Sequence, residues 1–169
     1  VGLPSRVYVA GRDPRGQPAE IEGRVMDDTG RMVTTFKSVH AGMARFALTP
    51  AAGRSYSIKL VKPARDQAFP IPTARPSGCV METKDDYTAA QPDIHVQVRC
   101  SGKERVLATA VVRERLVART AGEVAPDKAT ELTLPVAGAE GAARVTLWTE
   151  DQKPLAERLV YRGLGHGLR

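Results

Sequence analysis

The chain has 169 residues, of which 42% are hydrophobic, 26% charged and only 5% aromatic. That length exceeds what one small β-sandwich needs and suits two domains, whose cores must be filled by aliphatic side chains instead of rings. The formal net charge is +6; residues 1–72 hold 11 Lys+Arg against 6 Asp+Glu, and residues 73–169 hold 14 against 13. Nucleic-acid binders gather their cations on one face, often with aromatics between them. Here the cations stand singly along strands and turns with acids nearby, which reads as a solvated surface, so no nucleic-acid partner is expected. No apolar run approaches the roughly 20 residues of a membrane span, so no membrane contact by this chain is expected either. Val1 opens the chain without a signal peptide, and the chain reads as a piece of a larger protein.

In the first half, short alternating runs are separated by turn residues with no helical period. Arg6–Ala10 is a strand candidate ended by Asp13-Pro14-Arg15-Gly16, a turn with Pro at its second position and Gly at its fourth. Ile21–Met26 follows and closes at Asp27-Asp28-Thr29-Gly30. Then come Met32–Val39, a bend at Ala41-Gly42, Arg45–Leu48, a break from Pro50 to Gly53, and Ser55–Val61. Strands at this spacing predict an antiparallel β-sandwich. Phe69 to Gly78 holds three prolines and a glycine, which predicts an extended, semi-rigid connector. The expected domains are therefore 1–72 and 73–169, with the connector over about 69–78.

The second half repeats the theme. Cys79–Thr83 is a strand, and Ile94, Val96 and Val98 alternate with His95, Gln97 and Arg99 as a half-buried strand. Val106–Val112 and Leu116–Thr120 flank a tight turn at Glu114-Arg115. The Ala, Glu and Arg content of 106–119 could support a helix, but its β-branched valines favour strands. Leu132 and Leu134 mark a further strand, and Val145–Thr149 with Ala156–Tyr161 form a last hairpin. About seven strands result, the number of an immunoglobulin-like sandwich. The expected fold class is all-β, two tandem immunoglobulin/fibronectin-like antiparallel β-sandwiches. The tail Gly163–Arg169, with three glycines, is expected to fray or to lead into another domain.

Sites for chemistry are few. A nucleophilic triad needs a hydroxyl or thiol beside a histidine oriented by an acid. The three histidines, His40 beside a bend, His95 on a polar strand face and His166 in the tail, sit in no recognisable motif. A zinc site needs several His or Cys at ligand spacing, and no C-x-x-C or H-x-x-x-H occurs. Asp27-Asp28 and Asp85-Asp86 could be calcium ligands or a carboxylate pair, but the EF-hand loop pattern is missing and acidic pairs at turns serve the backbone there. Gly11, Gly16, Gly23, Gly30 and Gly42 are too widely spaced for a phosphate-cradling loop. Trp148 lies on a strand candidate and reads as a packed ring, since a carbohydrate platform wants several exposed aromatics. No catalytic, cofactor-binding or metal residue is assigned, and the chain reads as non-enzymatic and without a cofactor.

Cys79 and Cys100 are the one pair with a structural hypothesis. If their strands form a hairpin centred near Ala89-Ala90, the two cysteines fall almost opposite each other. Either they are bridged, which implies an oxidising compartment, or they are two buried thiols.

The residues also resemble a known family. Gly2-Leu3-Pro4-Ser5-Arg6-Val7-Tyr8, followed by Arg12-Asp13-Pro14 with Gly16 and Pro18, is similar to macroglobulin domains of bacterial alpha-2-macroglobulin-like proteins. So is Gly42-Met43-Ala44-Arg45-Phe46-Ala47-Leu48-Thr49-Pro50 followed by Gly53 and Tyr56. Arg144 to Thr149 and Pro154 to Arg162 resemble the final hairpin of the macroglobulin domain that follows in the same proteins. The resemblance implies two consecutive macroglobulin domains, the third and fourth of the ring that frames a periplasmic or secreted protease trap, which can be membrane-anchored. It implies neighbouring macroglobulin domains of the parent chain as partners, and target proteases through the full-length protein. The family's reactive thioester lies in Cys-Gly-Glu-Gln, whereas Cys79 is followed by Val80 and Cys100 by Ser101. No reactive residue is therefore carried over. The expected role is a non-catalytic scaffold. The alternatives are an adhesin-like or carbohydrate-binding sandwich pair, or accessory domains of a secreted enzyme.

Overall fold

A computed structural model describes residues 1–84, 93–126, 128–136 and 138–163. The described residues contain no helix, and their strands divide between two compact units, Val1–Pro76 and Ser77–Arg169. Every named strand pair is antiparallel. The chain is all-β, built as two tandem antiparallel sandwiches.

The first unit has six strands: β1 (Ser5–Ala10), β2 (Glu22–Asp27), β3 (Met32–Lys37), β4 (Met43–Leu48), β5 (Tyr56–Lys62) and β6 (Ala68–Pro70). β1 and β4 form one sheet, and the other has the order β3-β2-β5-β6. On β4 the alternation is complete: Ala44, Phe46 and Leu48 are buried while Met43, Arg45 and Ala47 are exposed. Successive strand side chains point to opposite faces, so one face of β4 enters the core and the other meets water. Phe36 of β3 stacks on Phe46 with ring centroids 5.5 Å apart. Gly23 of β2 leaves room for the Phe36 ring, which a Cβ there would meet at 2.5 Å.

The second unit has seven strands: β7 (Cys79–Lys84), β8 (Asp93–Cys100), β9 (Glu104–Val112), β10 (Arg115–Val124), β11 (Thr130–Pro135), β12 (Gly141–Thr149) and β13 (Pro154–Arg162). They form two sheets, β11-β8-β7 and β10-β9-β12-β13. One core draws on both: Met81, Ile94, Val96, Val98, Leu132 and Leu134 from the first, Ala108, Ala110, Val145 and Leu147 from the second. The helix alternative for 106–119 gives way to the β9–β10 hairpin. Its turn residues Arg113 and Glu114 have φ of 47° and 63°, the left-handed pair that matches the twist of hairpin strands.

One expectation about the connector needs correction. Its first residues, Phe69-Pro70, belong to β6, which pairs with β5 through Ser57↔Pro70 and Ile58↔Phe69. Proline lacks the donor of an interior strand but is tolerated at a sheet edge, and β6 is the edge. Ile71 then packs on the first core and donates its N–H to Tyr56 O at 2.9 Å. The first unit runs to Pro76, within the connector expected over about 69–78. The turn centre Ala89-Ala90, Asp85-Asp86, and His166 with the rest of the tail beyond Gly163 lie outside the described residues.

Cys79 and Cys100 are directly opposed in the β7–β8 register and are joined by a disulfide across a sequence separation of 21. Cys100 is buried in the core while Cys79 lies at its margin. Cross-linking a loop of that length removes denatured-state entropy equivalent to about 3 kcal/mol. The double variant Cys79→Ala/Cys100→Ala should therefore lower the unfolding free energy of the second unit by about 3 kcal/mol in urea, with the first unit's transition unmoved.

Candidate functional site

A polar cluster of the second unit lies on the outward face of β7, β8 and β11. His95 stands opposite Lys84 on one side and Thr133 on the other. Glu131 reaches across, with its carboxylate 2.5 Å from Lys84 Nζ and 3.3 Å from His95 Nδ1. Thr133 Oγ1 lies 3.2 Å from the same Nδ1. Hydrogen bonding from Lys84, reinforced by its charge, holds the Glu131 carboxyl below its usual value.

A histidine, an acid and a hydroxyl thus come together, but not in a relay. In a catalytic triad the acid holds one ring nitrogen and the nucleophile the other, so that the proton crosses the ring. Here Glu131 and Thr133 both approach Nδ1. Glu131 is moreover already neutralised by Lys84. The arrangement is a cross-strand charge ladder.

The other histidine within the described residues, His40, is exposed; its carbonyl accepts the Met43 N–H at 2.8 Å and closes the β3–β4 turn.

In the first unit Asp13 and Asp27 serve turns. Asp27 Oδ1 accepts the Thr29 N–H at 3.0 Å, the Thr29 hydroxyl at 2.6 Å and the Arg31 N–H at 3.0 Å. These bonds, the Thr29 hydroxyl first, lower its pKa. Asp28 pairs with Arg54 at 2.9 Å. Asp13 does for its turn what Asp27 does, accepting from Arg15 N at 2.8 Å and Gln17 N at 2.9 Å. No group of three or more His, Cys, Asp or Glu able to hold a metal occurs among the described residues. Trp148 is half-buried on β12, and its Nε1–H donates to Thr109 Oγ1 of β9 at 2.9 Å.

One junction centres on Glu20 and Ser38, two residues given no role in the sequence analysis. Glu20, ahead of β2, accepts the Gly42 N–H at 3.2 Å and lies 2.5 Å from the buried Ser38 hydroxyl. Ser38 Oγ in turn accepts the Ile21 N–H at 2.9 Å. Beside them the backbone is packed tightly: Gly11 N donates to Gly42 O at 2.9 Å, and Ala19 N to Gly11 O at 3.0 Å. Gly42 has φ of +73°, and a Cβ on it would meet Gly11 O at 2.5 Å and Ala19 O at 2.6 Å. Glu20 lies 18 and 22 residues from its partners, and no local motif announces a contact at that distance.

No family model matches the chain, and no curated protein matches it. Among solved structures, one described as "Biofilm associated protein - BSP domain" is similar at 13% identity with a TM-score of 0.39 over 97% of this chain. The chain spans 28% of that structure's length.

The Ser38 hydroxyl first, and then the Gly42 N–H, lower the Glu20 pKa. A carboxylate whose folded-state pKa is depressed stabilises the fold above its unfolded value and loses that contribution as pH falls through the folded one. The Glu20→Gln variant should therefore unfold at lower urea than the parent at neutral pH. The gap should close as pH drops below the ordinary glutamate value of about 4.3. Gly42→Ala combines a left-handed φ with a backbone clash and should cost at least about 1–2 kcal/mol at any pH.

Proposed function

We propose that the chain is a pair of non-catalytic scaffold modules from an alpha-2-macroglobulin-like protease trap, working outside the cytoplasm. The single observation that carries the non-catalytic part is the His95–Glu131–Thr133 cluster, where acid and hydroxyl share one ring nitrogen and a lysine neutralises the acid. Asp13, Asp27 and Glu20 are likewise engaged in holding their own turns. The ordered resemblance of both halves to macroglobulin domains supports the choice of parent, and the β7–β8 disulfide fits an oxidising compartment. In such a parent, sandwiches of this kind frame the ring and transmit its rearrangement. Bait cleavage and covalent capture would belong to other segments.

A second reading, a binding sandwich pair of the adhesin type, draws on Leu159 and Tyr161, 74% and 62% exposed on the edge strand β13. Exposed apolar residues side by side on the outward face of a strand are what a docking partner would use.

The scaffold reading expects the purified protein, in molar excess, to leave a serine, a cysteine and a metalloprotease uninhibited except as a competing substrate. Inhibition of several of these unrelated proteases by the intact chain would overturn it.

A further inference from the structure

The two units share one topology when their strands are matched in order. β1 corresponds to β8, β2 to β9, β3 to β10, β4 to β11, β5 to β12 and β6 to β13. Each pairing then has its equivalent: β1-β4 with β8-β11, and β3-β2-β5-β6 with β10-β9-β12-β13. β7 is left over. In the second unit β7 pairs along the outer edge of β8 and also lies against β13, closing the side of the sandwich. In the first unit the corresponding edge of β1 has no strand on it.

Burial records the difference. The inward residues of β8, Ile94, Val96 and Val98, are 2%, 0% and 0% exposed, and Met81 of β7 is fully buried over them. Val7 and Val9, which face the buried Phe46 and Ala44 in the β1–β4 register, are only half-buried. The same holds for Ile58 and Leu60 of β5, and Phe69 of β6 is 39% exposed. The fully buried members of this core lie on and beside β2, β3 and β4. An apolar groove of about 490 Å³ lies between the end of β1 and the strands β5 and β6, lined by Val9, Ile21, Ile58, Leu60 and Phe69, with Arg12, Asp13 and Arg65 beside them.

We propose that β1 pairs along this edge with a further antiparallel strand supplied by the polypeptide that immediately precedes Val1 in a longer parent chain. The source follows from the second unit, where the strand on the equivalent edge is the one directly before it in sequence. The chemistry of the strand follows from its two faces. Inward residues opposite Val7 and Val9 must be bulky and apolar, as Met81 is opposite Val98. Outward residues would lie beside Tyr8 on a unit that carries 12 Lys+Arg against 6 Asp+Glu over residues 1–76, which favours acidic side chains there. Main-chain hydrogen bonds would hold the strand and alternate side chains would set its register.

The test compares the 169-residue protein with one extended by about 20 upstream residues of its parent, enough for a strand of typical length and its turn. Readouts are residue-resolved amide hydrogen exchange and sedimentation. The amides of β1 that point away from β4 should exchange at least about 10-fold more slowly in the extended protein. A synthetic peptide of the upstream segment, added to the 169-residue chain, should restore that protection saturably. Equal exchange in both proteins, with no effect of the peptide, would overturn the proposal. So would a 169-residue chain that sediments as a dimer with those amides already protected, because the occupant would then be a second copy.

Discussion

Val96, Val98, Val145 and Leu147 leave no surface exposed, and they come from the two facing sheets of one unit. Everything else in that unit depends on this meeting of two sheets, each apolar on its inner face. With three phenylalanines and one tryptophan in the whole chain, the cores must be built from branched aliphatics and alanines. Ala108, Ala110 and Ala143 are as deeply buried as the valines around them. Small residues beside larger ones let the layers interdigitate at native density. Burial of apolar surface is the dominant favourable term in folding. The disulfide, the turn carboxylates and the charge ladders then fix register on sheets that already pack.

The two units meet that constraint unequally. In the second, seven strands bury the inner face of β8 and a disulfide pins β7 along it. In the first, the inner face of β1 is covered only in part, and the core is deepest on the side of β2, β3 and β4. The Glu20–Ser38–Gly42 junction lies at one end of this less complete sandwich. There it ties the loop before β2 to the β3–β4 turn, by bonds that need an ionised carboxylate and a residue without a Cβ.

Much of this was legible in the sequence because strands and tight turns are written locally. The alternation of Ile94, Val96 and Val98 marks β8 directly, and Asp13 and Asp27 open turns whose hydrogen bonds close within four residues of each aspartate. β6 escaped because three residues carrying a proline resemble a linker until β5 supplies their pairing. The Glu20 contacts and the convergence of Lys84, His95, Glu131 and Thr133 escaped for a related reason: they join residues far apart in sequence, and only the sheet order brings them together. The open edge of β1 needed still more, since it emerges from matching one unit's strand order to the other's.

The central functional claim is that these are scaffold modules of a protease trap, and the coding sequence on both sides of this segment tests it most directly. The account predicts a long parent with further sandwiches of this type, a bait-like stretch and a Cys-Gly-Glu-Gln motif downstream. A parent that instead continues into a catalytic domain, or into repeats of an adhesin with no such motif, would contradict it.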